Sequence, residues 1–195
     1  MEIPIDWGTI PVLDKKTIIN KILRHYLIYH DSPIFLDIGG AKGKWWMDND
    51  VIDDYTRIVL DIRFRRKATN YINGDACKLP IKDNSLDVVF SNNTLEHIKE
   101  PWIAAEEFVR VLKSGGLLIH TAPMSWKYHG KPIDYYRYTH KGLAYLFERT
   151  GKVIGIESGY DDKYYKNRKT IRRRGKLDEN MWTEFWTTVY IGRKK

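Results

Sequence analysis

Short apolar runs alternate with segments of helical periodicity along most of this chain. Apolar side chains recur every three or four residues between about 14 and 30, which predicts an amphipathic helix. The same reasoning predicts helices at about 101–113, where Pro101 marks the start, and at about 139–149, where Gly151 marks the end. Buried-type strands are predicted at 34–38, 57–61, 70–73, 86–90, 117–120 and 153–156, and a last strand within 182–191. This alternation is typical of an α/β fold with a mostly parallel sheet.

The composition fits one folded domain. With 195 residues, of which 43% are hydrophobic and 13% aromatic, the chain can bury a sizeable core, and intrinsic disorder is excluded. The single cysteine, Cys77, excludes an internal disulfide, and no Cys/His cluster has zinc-binding spacing, so no metal site is predicted. We find no basic, apolar leader and no run of about 18 apolar residues. A soluble, cytoplasmic protein without a membrane span is therefore expected.

Half of the net charge of +8 falls between residues 159 and 181. This stretch, the basic segment, holds eight Lys or Arg and four Asp or Glu residues. It joins the sixth predicted strand to the last one, so we expect it at the edge where parallel strands end. A basic surface there favours an anionic partner, nucleic acid included, although a solvated loop has the same composition.

A loop of small residues follows the first strand, with Gly39 and Gly43 after the acid Asp37. Small residues let the backbone turn sharply and approach a ligand closely. A dinucleotide loop needs glycine where Lys44 stands, and a phosphate loop needs Ser or Thr where Trp45 stands. An acid in the loop would also repel a pyrophosphate. Asp37 therefore favours a ligand with positive charge and no phosphate, such as the amino group and sulfonium of S-adenosylmethionine.

Further polar residues follow the next three strands. Asp61, with Ile62 beside it, ends the second strand about 20 residues after the loop, the spacing of a carboxylate that accepts hydrogen bonds from ribose hydroxyls. Asp75 and Ala76 follow the third strand, where a carboxylate can receive an adenine amino group, and Asn92 follows the fourth. Open α/β sheets bind ligands at this edge.

The ordered set of motifs resembles the compact, stand-alone class I S-adenosylmethionine-dependent methyltransferases. Residues 36–43 resemble their D-x-G-x-G-x-G loop, with Ala41 in place of the middle glycine. Further resemblances run through 59–62, 74–89, 92–97 (x-x-x-L-E-H) and 110–116 (R-V-L-K-x-G-G). The resemblance implies a Rossmann-like three-layer α/β sandwich, with a seven-stranded, mostly parallel sheet whose last strand is antiparallel. It also implies S-adenosylmethionine as the cofactor.

These patterns divide a single methyltransferase domain into four parts. We expect an N-terminal helical segment at 1–33, a cofactor-binding core at 34–158, the basic segment at 159–181 and a terminal strand at 182–195.

Three residues are candidates for catalysis: His97, His129 and Tyr136. His97 follows Glu96 near the predicted cofactor and can orient a substrate, act as a base or serve only structure. The segment around Tyr136 resembles the D-Y-x-R-Y-T segment of some family members, so its tyrosines form either an acceptor wall or packing.

The sequence leaves three functions open. The first is methyl transfer to a small, glycan-like or lipid-like acceptor. The second is methylation of RNA through the basic segment; base amino groups are disfavoured as acceptors, because Ser91-Asn92-Asn93-Thr94 stands where an Asn-Pro-Pro-Tyr-like tetrad would be required. The third is a non-catalytic protein that binds S-adenosylmethionine.

Overall fold

The computed structural model describes residues 11–40, 47–63, 70–126, 128–130, 132–161 and 187–195. These ranges contain four helices: α1 (Lys15–Leu27), α2 (Asn49–Ile52), α3 (Pro101–Val111) and α4 (His140–Glu148). They also contain eight strands: β1 (Val12–Leu13), β2 (Ile34–Ile38), β3 (Thr56–Asp61), β4 (Tyr71–Asn73), β5 (Leu86–Asn92), β6 (Leu112–Pro123), β7 (Val153–Asp161) and β8 (Thr187–Lys194). A single 3-10 turn at Leu95–His97 links β5 to α3.

The strands form one sheet in the order β1-β7-β8-β6-β5-β2-β3-β4. β8 runs antiparallel to both of its neighbours, β6 and β7, and the other pairs are parallel. The predicted seven-stranded sheet with an antiparallel last strand is therefore confirmed. The sequence did not predict β1, which adds only two residues alongside β7 and is too short to carry a periodic pattern.

Helices cover both faces of the sheet, which makes the predicted three-layer sandwich. On one face, Ile19 and Leu23 of α1 pack with Phe35 and Val88 of the sheet. On the other face, residues of α3 and α4 such as Phe108 pack on the opposite side chains of the same strands. Burial on both faces explains why the strands are continuous apolar runs. None of the helices in the described ranges is both long and apolar enough to cross a membrane.

Two helices begin where the sequence places a capping residue. The side chain of Asp14 accepts a hydrogen bond from Thr17 N at 3.1 Å, and Thr139 Oγ1 accepts one from Gly142 N at 3.0 Å. Each cap satisfies a backbone N–H group that the first helical turn leaves without a partner.

β6 is longer than the predicted strand at 117–120, because Leu112 already pairs with Leu86 of β5. The register then shifts around Gly115, whose φ of +82° allows the chain to bend within the strand. β8 begins at Thr187, within the predicted terminal strand.

Most of the basic segment, from 162 onward, lies outside the described residues, but both of its anchors are described. β7 ends at Asp161, and β8 begins at Thr187, which pairs with Pro123 at the end of β6. Since β6 and β7 run in the same direction, both anchors lie at the carboxyl edge of the sheet, the edge at which the parallel strands end.

Candidate active site

The polar residues predicted for the cofactor site gather at the carboxyl edge. Strand register places Ile38 of β2 beside Leu60 of β3 and Ser91 of β5, and it places Asp61 of β3 beside Asn73 of β4. Asp61 and Asn92 therefore end β3 and β5, and Asp75 follows β4, all at the edge where α/β folds bind their ligands. The Asn92 side-chain oxygen accepts a hydrogen bond from the Thr121 hydroxyl, which joins the ends of β5 and β6.

The turn after β2 depends on Gly39. Its φ is +75°, and its N–H donates to Leu60 O at 2.7 Å. The Thr94 hydroxyl donates to Ile38 O at 3.1 Å, and a β-carbon on Gly39 would lie only 2.3 Å from that hydroxyl oxygen. The tight turn therefore excludes a side chain at position 39. Gly43, the second predicted glycine of this loop, lies outside the described residues.

Asp37 lies beneath this turn and is paired within the protein. Its residue is 3% exposed, and its carboxylate accepts a hydrogen bond from the Arg57 guanidinium. Burial raises the pKa of Asp37, and Arg57 opposes that shift by stabilising the charged form. A direct contact between Asp37 and a positively charged ligand thus stays a prediction, since Arg57 already supplies the positive charge.

Sequence reasoning missed Arg57, but strand register could have found it. Asp37 pairs with Val59, so Arg57, two residues earlier on β3, is its diagonal neighbour on the same face of the sheet.

Asp61 and Asp75 each use one carboxylate oxygen locally. Asp61 Oδ1 accepts from Arg63 N at 2.8 Å, and Asp75 Oδ1 accepts from Cys77 N at 2.8 Å. Within the described ranges, the second oxygen of each carboxylate makes no hydrogen bond and can accept one from a ligand. Ile62 is 70% exposed beside Asp61, and Ala76 is buried. Carboxylate acceptors beside an exposed apolar side chain fit a ligand made of a hydroxylated sugar and an aromatic base.

The candidate histidines come together at the Leu95–His97 turn, which begins after Thr94 and is called the Thr94 turn from here on. The Nε2 atoms of His97 and His129 lie 3.3 Å apart, although 32 residues separate them. His97 Nδ1 donates to Ile133 O at 3.0 Å. The pKa of His97 is lowered chiefly by burial, which disfavours its charged form.

Glu96 is a buried carboxyl group that sequence reasoning did not assign to the site. The residue is 1% exposed, and its Oε1 lies 3.6 Å from His97 Nε2. Burial raises the pKa of Glu96 to about 7. The sequence signal that could have found it is the adjacent pair Glu96-His97, which is part of the x-x-x-L-E-H motif at 92–97.

The segment after β6 is pinned onto the Leu95–His97 turn. Tyr135 N donates to Glu96 O at 2.7 Å, and the hydroxyl of Tyr136 donates to Lys99 O at 2.8 Å. Both oxygens of Asp134 pair with the Arg137 guanidinium, which lowers the pKa of Asp134 to about 2. Tyr136 thus anchors the segment through its hydroxyl, whereas His97 and His129 form the polar centre.

Comparison with known proteins agrees with this geometry. Residues 52–120 match the family model described as a methyltransferase domain. Our structure superposes on a protein solved in complex with the Trm112 methyltransferase activator of Haloferax volcanii with a TM-score of 0.64, at 18% identity, covering 93% of this chain and 92% of that one. For an S-adenosylmethionine-dependent methyltransferase from Mesorhizobium loti, the TM-score is 0.60 at 15% identity, with 89% and 96% covered. This chain has the fold of the S-adenosylmethionine-dependent methyltransferases.

Curated proteins with sequence similarity to this chain are also named methyltransferases. An uncharacterized methyltransferase of Mycobacterium leprae is 36% identical over 109 residues, which is 48% of this chain and 40% of the relative. Another, from Mycobacteroides abscessus, is 43% identical over 51 residues, 26% of this chain and 20% of the relative. The chain thus matches less than half of the length of these relatives. The resemblance stated from the motifs is confirmed, and S-adenosylmethionine is the cofactor that family and fold imply.

Proposed function

We propose that this chain transfers the methyl group of S-adenosylmethionine to an acceptor bound beside His97 and His129. The observation that carries this proposal is the grouping of Asp61, Asp75 and the Thr94 turn at the carboxyl edge of a methyltransferase fold. Asp61 ends β3 and Asp75 follows β4, and the histidine pair lies at the turn after β5.

Methyl transfer depends mainly on how the methyl group and the acceptor are positioned. When bound, S-adenosylmethionine supplies a methyl group on a positively charged sulfur that is already a good leaving group. The chain's part is to hold that group and the acceptor in line, which Asp61, Asp75 and the rigid Gly39 turn do on the cofactor side. An acceptor hydroxyl or amine also loses a proton, and His97, whose lowered pKa disfavours its charged form in the free protein, lies beside His129 as the candidate to receive it.

We propose further that the acceptor is anionic. The basic segment starts at the carboxyl edge, where β7 ends at Asp161, and the chain is again at that edge at Thr187, which pairs with Pro123. Pro123 leads directly into the segment that carries His129. Basic side chains held at that place attract a phosphorylated or carboxylated acceptor, and this includes RNA as a second candidate.

A methyl-transfer screen tests the activity. The full chain is incubated with labelled S-adenosylmethionine and cell extract, which is then separated into nucleic-acid, protein and small-molecule fractions. We expect label in one fraction with the wild type and much less with Asp61→Ala at the same, subsaturating cofactor concentration. Label in none of the fractions, from a chain that binds the cofactor, would support the non-catalytic alternative.

The basic segment is tested on whichever fraction is labelled. Replacing Arg172, Arg173 and Arg174 by Ala should weaken transfer at low salt and leave the affinity for the cofactor unchanged. The difference should shrink as salt rises, since screening limits exposed charges to about 8 Å near physiological ionic strength. Equal transfer by the triple variant and the wild type at low salt would contradict an anionic acceptor held by these arginines.

A further inference from the structure

Glu96, His97 and His129 form a compact cluster of metal-ligating groups. One ligating atom from each residue lies within 4.8 Å of the other two. Two of the residues come from the turn after β5 and the third from the segment after β6. Their separation along the chain explains why sequence spacing predicted no metal site.

The tautomer of His97 directs the lone pair of its Nε2 toward His129. Ile133 O can only accept a hydrogen bond, so the 3.0 Å contact places the proton of His97 on Nδ1 and leaves Nε2 with its lone pair. His129 Nδ1 lies 3.1 Å from an Asp134 oxygen but has no hydrogen-bond partner among the described residues, so this contact does not fix the tautomer of His129. At 3.3 Å, the lone pair of His97 therefore faces either a proton on His129 Nε2 or a second lone pair, and a cation in place of that proton would bind both nitrogens.

The spacing suits a metal ion. A tetrahedral ion with metal–nitrogen bonds of about 2.0–2.1 Å holds neighbouring ligand nitrogens about 3.3 Å apart. The Nε2 atoms of His97 and His129 are already at that distance. The outer contact of His97 also fits, because metal-ligating histidines usually donate their other N–H to a carbonyl or a carboxylate, here Ile133 O. The Asp134 carboxylate lies 3.1 Å from the corresponding nitrogen of His129.

Glu96 provides a third, negatively charged ligand. Its Oε1 lies 3.6 Å from His97 Nε2, and its buried Oε2 has no hydrogen-bond partner among the described residues. A buried carboxylate oxygen without a partner is costly, and a bound cation removes that cost.

We propose that Glu96, His97 and His129 form a binding site for a divalent transition-metal ion. Two imidazoles and one carboxylate are the donor set of zinc sites and of two-histidine, one-carboxylate iron sites, both of which keep open coordination positions. The site stands independently of methyl transfer. Its use, to hold an oxygen of the acceptor at an open position, rests on the proposed function and replaces the role of the histidines as proton acceptors, because an imidazole nitrogen that binds a metal cannot take up a proton.

Cobalt(II) serves as the probe, because it substitutes for zinc and its visible absorption bands report coordination by protein nitrogen. Full-length protein is stripped with chelator, dialysed and titrated with Co²⁺. We expect bands that saturate at one equivalent with the wild type. His97→Ala and His129→Ala should each weaken binding at least 100-fold, and Glu96→Gln at least tenfold. Asp134→Asn, which keeps all three ligands, should weaken it about tenfold.

His25→Ala is the matched control, because His25 is an exposed histidine at the end of α1. It should bind Co²⁺ as the wild type does. Binding of S-adenosylhomocysteine is measured on every variant, so that loss of the cofactor site is distinguished from loss of the metal site. His129 lies outside the helices and strands, so its variant decides the question if His97→Ala does not fold.

Two results would overturn the proposal. One is a wild type that shows no saturable bands, in which case the histidine pair only shares a proton. The other is a His129→Ala variant that binds Co²⁺ as tightly as the wild type does.

Discussion

The Thr94 hydroxyl occupies the space that a side chain on Gly39 would need. A β-carbon on Gly39 would lie 2.3 Å from Thr94 Oγ1, and the one proton of that hydroxyl is within hydrogen-bond reach of both Ile38 O, at 3.1 Å, and Asn92 O, at 3.3 Å. Thr94 thus joins the ends of β2 and β5, and the loop that leads toward the predicted cofactor begins from that junction. The two residues are complementary, since the threonine requires the glycine.

Gly39→Ala should therefore cost more stability than a glycine replacement that adds backbone strain alone. Gly115→Ala is the matched control, because Gly115 has φ of +82° and no atom within 4 Å of its would-be β-carbon. We expect a loss of about 1–2 kcal/mol for Gly115→Ala. Gly39→Ala should lose about 2 kcal/mol more, from overpacking against Thr94. Urea denaturation of both variants measures the difference, and equal losses would show that Thr94 yields to the added methyl group.

The sequence predicted seven of the eight described strands, because burial on both faces makes the strands of a parallel sheet read as apolar runs. It could not predict β1, which is two residues long, or the extension of β6 back to Leu112. Both depend on pairing with a neighbouring strand, and pairing leaves no mark in local periodicity.

The candidate site was predicted in part. The acids at strand ends are visible in sequence, since each follows an apolar run. The sequence suggests that Gly39 makes room for a ligand, whereas the structure shows that it makes room for Thr94. The partnership of Asp37 with Arg57 depends on strand register, and the approach of His129 to His97 depends on the path of a loop. Neither can be deduced from residue spacing along the chain.

Asp61→Ala should weaken the binding of S-adenosylhomocysteine by about 1.5–3 kcal/mol, because a charged acceptor of hydrogen bonds is removed. Asp31→Ala is the control for the loss of one negative charge, since Asp31 is exposed and precedes β2, at the opposite edge of the sheet. Isothermal titration calorimetry measures both affinities. Unchanged affinity in Asp61→Ala would remove Asp61 from the proposed ribose contact.

A buried ion pair fixes the start of α1 to the end of β7. Lys15 Nζ lies 2.9 Å from Asp161 Oδ2, and both side chains are 1% exposed. Lys15→Met should cost about 3–5 kcal/mol, because it leaves an uncompensated buried carboxylate. The double variant Lys15→Met/Asp161→Leu should recover most of that loss, since two apolar side chains then replace the pair. Chemical denaturation of the wild type, the single variants Lys15→Met and Asp161→Leu, and the double variant gives the coupling, and additive losses would mean that the pair contributes nothing beyond its separate side chains.

Glu96 should make the free energy of unfolding fall as pH rises from about 4.5 to about 7. Burial raises its pKa from the ordinary 4.5 to about 7 in the folded protein, so in this range the folded state holds a proton that the unfolded state has released. Stability is then lost with rising pH, by about 3 kcal/mol over the full range. Asp134 and Arg137 also act on Glu96, with opposite signs.

Comparison of the wild type with Glu96→Gln isolates this effect. His97, whose pKa is lowered from 6.5, titrates in the opposite sense, and Asp134, with a pKa of about 2, loses its stabilising charge only at lower pH. Both groups are present in the two proteins, so their contributions cancel in the difference. We expect Glu96→Gln to be more stable than the wild type at pH 8 and to lose that advantage toward pH 4.5. Urea denaturation across this range, with chelator present, measures the difference. If it does not change with pH, the Glu96 carboxyl titrates in the folded protein as it does in the unfolded chain, and the ionised group has a partner that compensates its burial.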